Sequence, residues 1–173
     1  LRSGGERALQ EHLTELMSVL TEEKNIYDEL LEISKNKKNI IVEGNVNELE
    51  KITKTEQSIM IELSKLEDRR EDNIQRIADI IGIEPQNLTI SKLAEHVDHE
   101  TGKKLRDMRD TIMKVLKELK DLNALNSKLI NSSMEYIEFS LGLLTSAVEA
   151  DNNYTMDAER KGSKGKNFFD LKV

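Results

Sequence analysis

The apolar residues of this chain fall at alternating spacings of four and three over long stretches, a period that suits an α-helix with one buried stripe and no strand. Between about Glu6 and Glu43 the series is Leu9, Leu13, Leu16, Leu20, Tyr27, Leu30 and Ile41, interrupted at Glu23, Ser34 and Lys37. A second series follows with Leu49, Ile52, Ile59, Leu63, Leu66, Ile77 and Ile80. A third runs from Leu105 through Met108, Ile112, Val115, Leu119, Leu122, Leu129, Tyr136 and Leu143 to Ala147. Little forbids helices of that length, because proline, which removes a helical N–H and clashes with the preceding turn, occurs once, at Pro85. Breaks must come from glycine and capping residues.

Gly44 tolerates the left-handed conformation that ends a helix, and Asn45 can cap the next, with Glu48 placed three later to complete a capping box. The chain is therefore expected to reverse tightly there and form an antiparallel hairpin. The second helix is expected to end at Gly82, with Pro85 close behind. Thr89 is a candidate N-cap for a short helix whose Ile90, Leu93, Ala94 and Val97 share one face, a clip over the hairpin end. After a polar turn from Asp98 to Gly102, a long third helix is predicted to run to about Val148. The fold class expected is all-α: a long helical hairpin, a short extra helix and a long third helix in a three-helix, coiled-coil-like bundle, followed by a disordered C-terminal tail. The bundle is placed at residues 6–150 and the tail at 151–173, where Gly162, Ser163 and Gly165 cluster before a closing Phe168, Phe169 and Leu171. The opening Leu-Arg-Ser-Gly-Gly looks like a trimmed or added end rather than a targeting peptide.

Composition narrows the chemistry. Without cysteine, disulfides and thiolate metal sites are excluded and no oxidising compartment is required, so a cytoplasmic protein is expected. A net charge of −7, with most basic residues alternating with acids, argues against nucleic-acid binding. The most apolar stretch, around residues 129 to 148, is broken by Glu135 and Glu138, so direct membrane insertion is not expected. His96 and His99, flanked by Glu95, Asp98 and Glu100, lack a third partner placed by spacing and read as a solvated helix terminus rather than a metal site. There is no Glu-x-x-His pair and no phosphate-cradling glycine loop, and Ser132 and Ser133 sit mid-helix without a neighbouring base. The expectation is a non-enzymatic protein with no metal and no cofactor.

One feature exceeds what a bundle needs. In the second half of the third helix, Leu129, Ile130, Met134, Tyr136, Ile137, Phe139, Leu141, Leu143, Leu144 and Val148 cover far more than the stripe of roughly 100° that packing on a hairpin uses. The surplus can meet a second copy in a homo-oligomer, the chain's own tail, or another protein, or the helix can be central in the bundle. If the partner is another protein, Tyr136, Ile137, Phe139 and Leu141 are candidate anchors.

The stretch VEGNVNELEKITKTEQSIMIELSKLEDRR, residues 42–70, resembles the hairpin turn and second helix of FlgN-type flagellar export chaperones, including the Gly-Asn turn and the pair Glu56 and Gln57. LNALNSKLINSSMEYIEFSLGLL, residues 122–144, is similar to the third helix of that family at Asn123, Asn126, Leu129, Ile130, Ser133, Tyr136 and Ile137, and the tail with Tyr154 and FFDLKV is similar to family tails. The resemblance implies a cytosolic chaperone that binds hook-filament junction proteins of the FlgK and FlgL types, keeps them export-competent and delivers them to the flagellar type III secretion apparatus, without cofactor or ATP. It links the third helix to client binding, for which the apolar surplus offers Leu129, Ile130, Tyr136, Ile137, Phe139, Leu141 and Leu144. It also implies docking of the tail, through Tyr154 with Phe168 and Phe169, on the export-gate membrane protein FlhA; where the family often has glycine four residues after that tyrosine, this chain has Ala158. The competing reading is a structural coiled-coil or scaffold protein that self-associates through its helical seams.

Overall fold

A computed structural model describes the backbone of residues 3–163 and the side chains of residues 4–147. Its elements are α1 (Ser3–Glu43), α2 (Val46–Ile81), a 3-10 turn (Pro85–Asn87), α3 (Ile90–Leu93) and α4 (His99–Ser163), with no strand among the described residues. The all-α hairpin, the short extra helix and the long third helix expected from the apolar spacing are all present; α4 is that third helix. It continues to Ser163 rather than ending near Val148. Of the stretch expected to be a disordered tail, residues 164–173 lie outside the described residues.

The reversal between α1 and α2 is made as the local sequence dictates. Gly44 adopts φ 69°, a left-handed conformation that costs a residue with a Cβ steric strain. Its N–H and that of Asn45 donate to the carbonyls of Ile41 and Ile40, capping the last turn of α1. The Asn45 side chain accepts from the Glu48 N–H at 3.2 Å. The expected capping box is only half made: the Asn45 N–H is already used, and the Glu48 carboxylate pairs instead with Lys51 at 2.9 Å. Gly82 repeats the device at the end of α2, with φ 74° and its N–H on the Ala78 carbonyl. Thr89 caps α3 by accepting from the Lys92 N–H.

The chain divides into two compact units, Leu1–Leu129 and Ile130–Val173, and α4 supplies residues to both. In the first unit α1 and α2 run antiparallel: Arg69 reaches Glu15 at 2.6 Å, Asn73 lies 3.3 Å from His12, and Lys37 pairs with Glu56 at 2.6 Å. The start of α4 runs parallel to α1, since Leu105 shares a core with Leu13 and Leu16 while Asn126 bonds Ser34. One apolar cluster joins Leu13, Leu16 and Leu20 of α1 with Ile77 and Ala78 of α2, Leu88, the Leu93-Ala94 clip, and Leu105 and Ile112 of α4. A second joins Val19, Ile26, Leu30 and Leu31 with Ile59, Leu66 and Leu119. Because α1 meets α2 on one side and α4 on the other, it buries Val19, Ile26, Leu31 and Ile40 beyond its single expected seam. At this level α1 is the central helix.

The polar interruptions of the α1 seam are buried or half-buried, and each faces a polar group of another helix, Glu23 as an ion pair with Arg70 that is not aligned as a hydrogen bond. Glu23 is 2% exposed with its Oε1 3.0 Å from Nε of Arg70. The Ser34 hydroxyl donates to Asn123 at 3.2 Å, and its carbonyl accepts from the Asn126 amide at 3.0 Å. Lys37 is half-buried against Glu56. Each interruption fixes one register of the bundle, because a slipped helix would leave these groups dry and unpaired.

The turn before α4 is tighter than the Asp98 to Gly102 segment expected. Asp98 is its cap, accepting from the N–H groups of Glu100 and Thr101 at 3.0 Å. The Thr101 N–H and then its hydroxyl hold the Asp98 carboxyl below its ordinary range. Gly102 lies buried inside the first turn, where a Cβ would stand 2.5 Å from the Ala94 carbonyl oxygen. Only glycine lets the clip approach α4 this closely.

Candidate interaction surface

In the first unit α4 buries a narrow stripe, Leu105, Ile112, Leu119 and Asn126, seven residues apart, with Met108, Val115 and Leu122 half-buried beside it. Continued into the second unit, the seven-residue stripe becomes Ser133 and Ser140, and the large apolar residues move to either side of it. At about 100° per residue, Ile130, Met134, Ile137, Leu141 and Leu144 fall within a sector of about 80° and follow a four-three heptad spacing. Tyr136, Phe139 and Leu143 fall within about 60° on the other side of the serines. Asn131, Glu135, Glu138 and Gly142 occupy the remaining polar sector.

These side chains are presented to solvent. Tyr136 is 72% exposed and Phe139 66%, and Ile137, Leu141 and Leu144 are exposed in the same way. Leu129 and Ile130 are half-buried. Met134 and Leu143, counted in the apolar surplus but not among the expected anchors, are as open as Ile137. Fully burying one such side chain is worth about 1.5–3 kcal/mol, so an exposed run of this length stores a large driving force for association. The hydroxyls nearby do not oppose it: Ser140, Thr145 and Ser146 donate back to the carbonyls of Tyr136, Leu141 and Gly142 at 2.8 to 2.9 Å. Their donors are satisfied within the helix, which leaves small apolar edges facing outward.

Charge around the run is of one sign. Between Lys128 and Arg160 the sequence has no basic residue, and it has acids at Glu135, Glu138, Glu149, Asp151, Asp157 and Glu159. By angle, Glu138 borders the aliphatic seam beside Met134, and Glu135 borders the aromatic seam beside Phe139. Of the residues expected to dock the export gate, Tyr154 lies on the α4 backbone but outside the described side chains, and Phe168 and Phe169 lie outside the described residues altogether.

Elsewhere the described residues gather no group of three or more His, Asp or Glu able to hold a metal ion. His96 and His99 are exposed, and the His96 Nδ1 is engaged by the Lys92 carbonyl at 2.8 Å. Among the described residues, no helix is long and apolar enough to cross a membrane.

A helical bundle whose longest helix presents a broad, acid-edged apolar face has the form of a protein-binding module. The FlgN protein family model matches residues 12–162, most of the chain, and the chain belongs to that family, one of flagellar export chaperones. No curated protein and no solved structure gives a significant match.

Proposed function

We propose that the protein is the export chaperone of hook-filament junction proteins of the FlgK and FlgL types, holding them soluble and export-competent in the cytoplasm and passing them to the export-gate protein FlhA. The observation that carries this reading is the exposed apolar run from Met134 to Leu144 on α4, in a chain of the FlgN family. A client segment that is unstructured when free gains helix by laying an apolar face on a surface already formed, and the complex hides the adhesive part of both. Such a complex buries on the order of 1,200–2,000 Å², with a few aromatic and aliphatic anchors carrying most of the energy. Leu129, Ile130, Tyr136, Ile137, Phe139, Leu141 and Leu144 are the proposed client-binding residues, and Tyr154, Phe168 and Phe169 the proposed gate-docking residues. No catalytic step, cofactor or metal enters the scheme.

The experiment is co-purification of the chain with the FlgK-type and FlgL-type proteins of the same flagellar system. A stable complex with either one supports the reading. A chain that binds neither but sediments as a dimer or larger species would instead favour a self-associating scaffold.

A further inference from the structure

The face described above is too wide for one helix. A helix docking on α4 covers a stripe of roughly 100°, and the apolar arc from Phe139 round to Met134 spans about 220°. The arc is also divided. Ile130, Met134, Ile137, Leu141 and Leu144 make one heptad seam, Tyr136, Phe139 and Leu143 make another, and Ser133 and Ser140 form a low row between them. Ser140 turns its hydroxyl onto the Tyr136 carbonyl, so at that position the low row offers close approach with its donor already satisfied.

We infer that residues 130–144 hold two helical segments of one client side by side, one on each seam, each carrying lysine or arginine where it borders Glu138 or Glu135. The inference rests on the client-binding reading and specifies what the client must present. Charge decides the occupant. A second copy of this chain would bring its own stretch without a basic residue against Glu135 and Glu138, and like charges face to face are disfavoured in either orientation. Neither glutamate forms an ion pair among the described residues, so both carboxylates are available. A basic-edged amphipathic pair of helices satisfies both seams and both edges at once.

The test uses the full chain and the purified FlgK-type protein of the same system. A photo-cross-linking phenylalanine analogue is placed at Leu144 on the aliphatic seam and, in a second preparation, at Leu143 on the aromatic seam, and the products are mapped by mass spectrometry. The expected result is two different stretches of the same client. Two exposed double variants, Ile137→Asp with Leu141→Asp and Tyr136→Asp with Phe139→Asp, should each weaken binding by more than about a hundredfold with helicity unchanged. Raising salt should weaken wild-type binding and should affect Glu135→Gln with Glu138→Gln much less. Cross-links to a single stretch, or a client indifferent to one seam, would overturn the two-segment inference and leave the chaperone reading standing. A free dimer that fills one seam would also overturn it. A client indifferent to both seams would remove the client-binding reading itself.

Discussion

Glu23 and Arg70 show how much of the bundle's specificity sits in single polar residues. Burial raises the Glu23 carboxyl above its ordinary value, and the Arg70 guanidinium beside it opposes the rise. A carboxylate raised in the folded state binds its proton more tightly folded than unfolded. Its contribution to stability is therefore full below the ordinary glutamate range and is lost as pH climbs through the raised value. Removing Arg70 deletes the opposing charge and leaves a dry, unpaired carboxylate at neutral pH. Arg70→Ala is expected to cost about 2 kcal/mol near pH 8, less than a fully buried pair would because Arg70 is partly exposed, and clearly less near pH 4.5. Urea unfolding at the two pH values checks this; an equal cost at both would mean that Glu23 is not the residue left stranded. Gly102→Ala places a methyl against the Ala94 carbonyl and should destabilise by roughly 2 kcal/mol, read as a lower Tm with the helical spectrum retained. Neither role was legible in the sequence. Glu23 reads there as a break in a seam, and Gly102 as part of a turn, because burial and close approach are properties of the partner helix and not of the local pattern.

At the level of elements, long apolar periodicity and glycine punctuation were enough to place α1, α2, the clip and α4 in order, and the capping residues Asn45 and Thr89 act as expected. The end of α4 was not legible, because the polar residues after Val148 lack the apolar period that marks a buried helix while nothing in them forbids helix. The second face of α1 was also missed, since Val19, Ile26 and Leu31 were not needed to complete a seam and their use depends on having two neighbours. Asn123 and Asn126, which stand out in the sequence only by resemblance, join α4 to α1 at Ser34. Asn126→Leu would remove the buried side-chain bond to the Ser34 carbonyl, which keeps its helical N–H donor, at a cost of about 1 kcal/mol. Hydrogen exchange should then show earlier opening of the Ser34 end of α1 than of the Leu13 end. Uniform opening along α1 would mean that the Asn126 bond is not what secures that end.

In the whole molecule, holding and delivery fall to different segments of the proposed scheme. We propose that the exposed face of α4 holds the client and that Tyr154, with Phe168 and Phe169, delivers it. An aromatic anchor of this kind commonly carries about 2 kcal/mol of binding, so Tyr154→Ala should cut docking of the client-loaded chain on the soluble domain of FlhA about thirtyfold while client affinity stays unchanged. Weakened client binding with normal gate affinity would place Tyr154 with the client face instead. The claim on which everything else depends is that the exposed apolar face of α4 is where the client sits. Titration calorimetry of the wild-type chain and of Ile137→Asp with Leu141→Asp against the C-terminal region of a hook-filament junction protein tests it most directly. Two carboxylates forced into an apolar interface cost several kcal/mol, so the account predicts more than a hundredfold loss of affinity with the helical spectrum and Tm unchanged, since both positions are exposed in the free chain. If that variant and Tyr136→Asp with Phe139→Asp both stay folded and both bind the client as tightly as the wild type, the α4 face is not where the client sits.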